Sequence, residues 1–464
     1  MRRMTPLDAS LLARDTATQP RQVASLAVLE QGDVPLDHER LVRLIAERID
    51  LVPRYRQVAR PVPLLGTPVW VDDQHFDLGL HVRRSALPSP GGPEALLDLV
   101  GRLVARRLDP ARPLWELYLV EGMTDGRVAL LFKAHQALVD GSETIDLAQV
   151  LLEETPHERD LPDDGWSPHP EPTAAQLLAR TVRRNVTHPA EGLGVAEFQL
   201  RKVLGRTPAV VPKQPPVSHA LSTSLGQSRR FATVSASLDD HRLVRDAHGG
   251  TINDVVLAAI AGGLRGWMLT RGEALSPGTR VRALVPMSVD AEDGLPTTFG
   301  TKVRGHLLSL PVGEANPVVR LHQVSYALKG HRETGSAVAA NRLAGLPGFA
   351  TSTFHAVGAR VGEAESGRGY QLLVTNVPGP QDPVYMAGQR LSEVYPALPL
   401  TGSRALAIGV TSYAGRVFYG LVGDRDAMRD LDVLAQCIDE ALVELVEGVG
   451  SRSRAPRGRQ RPRR

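Results

Sequence analysis

Cysteine occurs once in the 464 residues, as Cys437. An intrachain disulfide and a thiolate metal cluster are therefore both excluded. Its apolar helical surroundings read as those of a packed thiol, and such sparse use of cysteine fits a reducing cytoplasm. Aromatic residues make up 4% of the chain, too few for a platform that stacks single-stranded nucleic acid. Long uncharged runs are missing too. The best candidate, VVLAAIAGGLRGWML, is interrupted by Arg265, so no segment is expected to span a bilayer and membrane contact is expected to be peripheral. At the start, MRRMTPLDASLLARD brings in Asp8 before any apolar run of signal-peptide length; export is not expected.

Several chemistries lack their signatures. No GxxxxGK[ST], no GxGxxG after a strand, no GxSxG and no HExxH is present, and the 14 histidines are scattered without ligand spacing. A phosphate-binding loop, a dinucleotide fold, a hydrolase elbow and a metal site are thus unsupported. No bound cofactor and no metal are expected.

Acid is in short supply in one place. The tail SRSRAPRGRQRPRR (451–464) holds seven arginines and no carboxylate; removing seven from the net charge of +3 leaves −4, so the body is mildly acidic and the pI of 9.1 belongs to the tail. Such a stretch reads as disordered. Its chemistry suits an anionic lipid surface, with no specific nucleic-acid partner expected, and a solvated end is the plainer reading.

What is there is the composition of a globular chain, 42% apolar and 23% charged. Its length predicts two lobes, and alternating strand and helix periods predict an α/β fold. A helical stripe is written in Leu96, Leu97, Val100, Leu103 and Val104, and another in Leu434, Cys437, Ile438, Ala441, Leu442 and Leu445. Proline-rich stretches mark 155–227 as a crossover between a first lobe, 1–154, and a second, 228–447, followed by a tail from 448.

KAHQALVDG, Lys133 to Gly141, closes an apolar strand and precedes a helical period from 145. A turn of that kind projects side chains from the end of a sheet, where α/β folds place ligands. His135, Gln136, Asp140 and Gly141 resemble the HHxxxDG motif of the bacterial wax ester synthase/diacylglycerol acyltransferase family, related to chloramphenicol acetyltransferases and peptide-synthetase condensation domains. TPLDAS (5–10), RPLWELYLVEG (112–122), TINDVVLAAIAGGLR (251–265), VRALVPMSV (281–289), LLVTNVPGP (372–380) and SYAGRVFYGLVGD (412–424) are similar to further blocks of that family, in order.

The resemblance implies two chloramphenicol acetyltransferase-like subdomains with mixed sheets and a tunnel between them. Acyl-CoA is the implied co-substrate, and diacylglycerol or a long-chain alcohol the acceptor. The second histidine of HHxxxDG is the implied general base, and here it is Gln136. A primary amide accepts or donates a hydrogen bond but does not take a proton near pH 7.

Three readings follow: transfer sustained by His135 or a water relay, a vestigial site that binds acyl-CoA or lipid, or another acyl chemistry. His135 neighbours Gln136 on a strand, so the two point to opposite faces unless the strand end kinks. Asp140 is implied as a structural carboxylate paired with an arginine, and Gly141 as a residue that permits close backbone approach. Asn253 and Asp254 match the family's Asn-Asp pair and are implied at the substrate, with a helix cap at Asn253 as the alternative. Thr375 and Asn376 end a strand where short polar groups either donate to an oxyanion or hold a turn. FGTKVRG departs from the pattern at Thr301.

Overall fold

The computed structural model describes residues 2–63, 68–139, 147–157, 165–187, 221–289, 295–296, 302–333 and 351–453. Its first half supplies β1 (Arg2–Arg3), β2 (Gln22–Leu29), β3 (Gln57–Arg60), β4 (Val69–Asp72), β5 (Val82–Ala86), β6 (Trp115–Glu121) and β7 (Val128–His135). With these come helices α1 (Pro6–Ala13), α2 (His38–Arg48), α3 (Leu78–His81), α4 (Pro93–Ala105) and α5 (Leu147–Leu151). After α6 (Ala174–Thr187) come β8 (Arg229–Ser237), α7 (Leu238–His248), α8 (Ile252–Thr270), β9 (Val281–Val289), β10 (Leu295–Pro296), β11 (Lys302–Leu310), α9 (Pro317–Glu333) and α10 (Thr351–Ala364). β12 (Leu372–Pro378), β13 (Tyr385–Met386), β14 (Gln389–Ala397), β15 (Leu406–Tyr413), β16 (Arg416–Asp424) and α11 (Leu431–Ser453) complete the order.

Two mixed sheets carry the α/β architecture that the alternating periods predict. One has six strands in the order β13-β14-β2-β7-β6-β5, the other seven in the order β10-β11-β9-β12-β15-β16-β8, and a small sheet joins β1, β4 and β3. Every residue of β7 is buried, which is why VALLFKAH reads as a continuous apolar run and not as an alternation. α4 begins with Pro93 in its first turn and buries Leu96, Val100 and Leu103 on one face, a helical stripe started by a residue that needs no amide partner there. α8 starts at a capping box: Thr251 Oγ1 accepts from the Asp254 amide, and Asp254 accepts from the Thr251 amide. By length and composition α8 passes for a membrane span, yet Val255 to Ala261 are wholly buried in the second core, against α9 and α11.

The sequential division into lobes needs one correction. Residues 385–397 fall in the expected second lobe, but β14 pairs with β2 from Leu391↔Leu29 to Ala397↔Ala24 and extends the first sheet. Pairing covers an edge of β2 that would otherwise expose its amides and carbonyls. β14 also crosses the second sheet, where Gly409 and Gly420, facing each other on β15 and β16, leave room for Pro396. The first core accordingly takes in Ala356, Ala359, Leu373 and Phe418 from the second half. α11 continues to Ser453, past the expected start of the tail at 448. Most of the expected crossover and the rest of the tail lie outside the described residues.

Candidate active site

The HQ pair sits at the end of β7, and backbone bonds hold it there. His135 is opposite Gln22 in the β2–β7 ladder, and its N–H donates to the Leu114 carbonyl at 2.9 Å. The Gln136 N–H donates to the Arg21 carbonyl at 2.9 Å. From α10, Arg360 Nη1 donates to the Gln136 carbonyl at 2.7 Å. The same guanidinium pairs with Asp8 of the TPLDAS block. One turn on, Glu363 accepts from Arg21 at 2.6 Å and from Arg14 at 3.1 Å. Helix α10 is thereby clamped to the strand end by buried charge.

Within that frame the two side chains differ in what they have left to offer. His135 is buried, and its Nδ1 lies 3.0 Å from the Ala137 amide. A backbone N–H only donates, so Nδ1 accepts and the neutral ring carries its proton on Nε2. Nε2 itself has no partner. Desolvation lowers the pKa of the ring to about 4, with Asp15 opposing and Arg21, Arg360 and Arg107 assisting, so the ring is neutral at pH 7. Neither nitrogen has a lone pair free: one is engaged and the other protonated. This corrects the expectation that His135 substitutes as the base, and leaves it an unpartnered N–H donor.

Gln136 is fully buried, and neither its Oε1 nor its Nε2 has a partner. Other buried amides among the described residues have at least one side-chain atom engaged: Gln22 donates to the Val104 and Arg106 carbonyls at 2.9 and 2.7 Å, and Gln371 Oε1 accepts from the Arg282 amide at 3.2 Å although its Nε2 has no partner. An amide left with its hydrogen-bonding capacity unused in an interior is costly and marks a place for a guest group. Asp140, Gly141 and Thr301 lie outside the described residues.

In the second half the expected residues divide. The Asn376 amide donates to Asn253 Oδ1 at 3.0 Å, which brings two of them together. Asp254 is buried in the capping box, with Ser325 donating to it at 3.0 Å as well. Its oxygens serve the start of α8, a correction to its implied place at the substrate, and Thr251, not Asn253, is the cap. Thr375 is buried beside His355 of α10, with Oγ1 2.6 Å from Nδ1.

His355 is not legible in the sequence. It is one histidine among fourteen, and nothing in TSTFHAVGAR sets it apart. Burial lowers its pKa to about 3, and its Nε2 has no partner. Arg360 is equally unmarked in the sequence. Among the described residues no three His, Cys, Asp or Glu side chains gather as a metal site.

Comparison with known proteins gives this geometry its context. Residues 4–256 match the wax ester synthase/diacylglycerol acyltransferase catalytic domain and residues 299–446 the C-terminal domain of the same family. Among curated relatives, a probable diacylglycerol O-acyltransferase of Mycobacterium tuberculosis, tgs1, is 33% identical over 462 residues, covering 96% of each chain. A second from that organism, tgs2, is 31% identical over 96% of this chain and 99% of its own. The wax ester synthase/diacylglycerol acyltransferase from Marinobacter aquaeolei VT8 superposes with a TM-score of 0.68 at 26% identity, over 97% of this chain and 100% of that one. A condensation domain of the calcium-dependent antibiotic synthetase, at 15% identity and a TM-score of 0.53 over 96% and 97% of the two chains, shares the fold. With both of the family's domains matched in order and a two-sheet fold in common, the chain belongs to the wax ester synthase/diacylglycerol acyltransferase family.

Proposed function

We propose that this protein transfers a fatty acyl group from acyl-CoA to the hydroxyl of a diacylglycerol or a long-chain alcohol, with Gln136 orienting the hydroxyl rather than deprotonating it. The observation that carries the reading is the buried, unpartnered amide of Gln136 at the strand end where the family places its base. Gln136 Oε1 accepts from the alcohol O–H, and the Nε2–H of His135 donates to the thioester oxygen as negative charge builds on it. As the O–C bond forms and the C–S bond breaks, the hydroxyl proton passes to the departing sulfur, an alkyl thiol of the kind that titrates at about pH 8.5 in cysteine. No side chain of the pair takes the proton, so the reaction is slow. The enzyme needs no bound cofactor on this reading and works in the cytoplasm, with its arginine tail making peripheral contact with anionic lipid.

One observation favours a second reading, a protein that binds acyl-CoA or lipid without turnover: no free basic lone pair exists at 135 or 136. Radiolabelled palmitoyl-CoA and diacylglycerol, incubated with wild type, Gln136→His and His135→Ala, separate the two. Transfer predicts slow product from wild type, a gain of about 10²–10⁴-fold in Gln136→His, and loss in His135→Ala. Tight acyl-CoA binding by wild type with product from Gln136→His alone establishes the binding reading.

A further inference from the structure

We infer that an arginine-lined cavity at Glu116, whose carboxylate pairs with Lys133 two residues before His135, holds the phosphate-bearing nucleotide end of the acyl-CoA thioester, an inference that rests on the function proposed above. The cavity has a volume of about 410 Å³, and its walls include Arg83, Arg106, Arg107, Arg112, Asp109 and Glu116. Four guanidiniums face two carboxylates there, a surplus of two positive charges. The neighbouring pairs do not remove it. Arg107 is matched by Asp15 at 2.9 Å, while Glu116 takes Arg83 and the buried Lys133, each at 3.1 Å, and the Tyr118 hydroxyl at 2.8 Å. Burial opposes ionisation of Glu116, but Lys133, Tyr118 and Arg83 together hold its pKa below the usual carboxylate range. Its charge is thus fully committed to the wall.

What remains points at a ligand. Arg83 keeps a buried Nε with no partner. Arg112 has only a 3.4 Å pairing to Asp109, itself half-exposed. The side chain of Arg106 has no ion pair among the described residues and is exposed. Convergent planar guanidiniums with free N–H groups match phosphate oxygens in pairs.

Position ties this cavity to the candidate active site. Lys133 and His135 are two apart on β7 and share a face of the sheet. Lys133 Nζ donates to the Arg106 carbonyl at 2.9 Å, and Gln22, opposite His135, donates to that same carbonyl. Two residues beyond Arg112, the Leu114 carbonyl receives the His135 amide. Phosphates anchored among these arginines lie on the face of the sheet that carries His135, and the pantetheine arm reaches its unpartnered Nε2–H past the buried Lys133–Glu116 pair. Opposite, on the face of Leu130 and Phe132, the sheet is lined by apolar side chains from α5 and β14.

Calorimetric titration of the full chain with octanoyl-CoA, octanoyl-3′-dephospho-CoA and octanoyl-pantetheine tests the assignment, with wild type beside Arg106→Ala/Arg112→Ala. The double variant is expected to bind octanoyl-CoA about tenfold or more weakly and octanoyl-pantetheine as wild type does. Unchanged octanoyl-CoA affinity overturns the assignment. So does equal weakening of the CoA and pantetheine thioesters, or dependence on these arginines of binding to phosphatidylglycerol vesicles alone. Because the titration reads binding, absence of acyl transfer by wild type would count against the proposed function and not against this site.

Discussion

A histidine at position 136 would offer a lone pair that holds a proton near pH 7, and a glutamine has none. Everything chemical about the site follows from that difference and from the state of its neighbour. His135 is neutral because its surroundings are dry, as is His355, with pKa values lowered by burial to about 4 and about 3. Unfolding returns both rings to water, where they titrate near 6.5. The unfolded chain therefore gains protons first as the pH falls. Stability from the two rings is complete above about pH 6.5 and is lost as the pH drops toward 4, by about 1.4 kcal/mol per ring for each unit. Urea midpoints between pH 7 and 5 should decline accordingly, and His355→Gln should flatten the slope by one proton. An identical slope in that variant would show that His355 is not held neutral.

At the scale of elements, the crossing of β14 over the second sheet brings two layers into close approach. A Cβ on Gly420 would stand 1.9 Å from the Pro396 carbonyl oxygen, and one on Gly409 2.7 Å from the Pro396 Cβ. The first contact is with backbone, which no rotamer change relieves. Gly420→Ala should cost about 3 kcal/mol in urea denaturation; a loss below about 1 kcal/mol would mean that β14 lifts away without consequence. That crossing was hidden in the sequence. The hairpin in GVTSYAGRVFYGLVGD has local signals, an apolar pattern on each strand and turn residues between them. That residues 389–397 leave their own half to join β2 is a long-range pairing with no local signature. The same limit separates the HQ motif, legible in KAHQALVDG, from His355 and Arg360, whose meaning depends on what α10 touches.

For the whole molecule, the joint between halves is made of buried charge. Arg360 and Asp8 have side-chain exposures of 6% and 3%, so removing one leaves the other without compensation. Arg360→Met should destabilise the chain by about 3–5 kcal/mol, and Asp8→Leu in addition should recover much of that loss; a double variant no more stable than the single would deny the pair this role. The joint also fixes the Gln136 carbonyl, which links assembly of the two lobes to placement of the amide on which the functional account depends. The most direct test of that account is the single-turnover rate of acyl transfer from palmitoyl-CoA to diacylglycerol, measured from about pH 5 to 9 for wild type and Gln136→His. The account predicts a slow wild-type rate with no inflection from a histidine base, and a faster variant whose rate rises as the new imidazole loses its proton. Equal rates and superimposable pH profiles would contradict it, because position 136 would then lie away from the reacting hydroxyl.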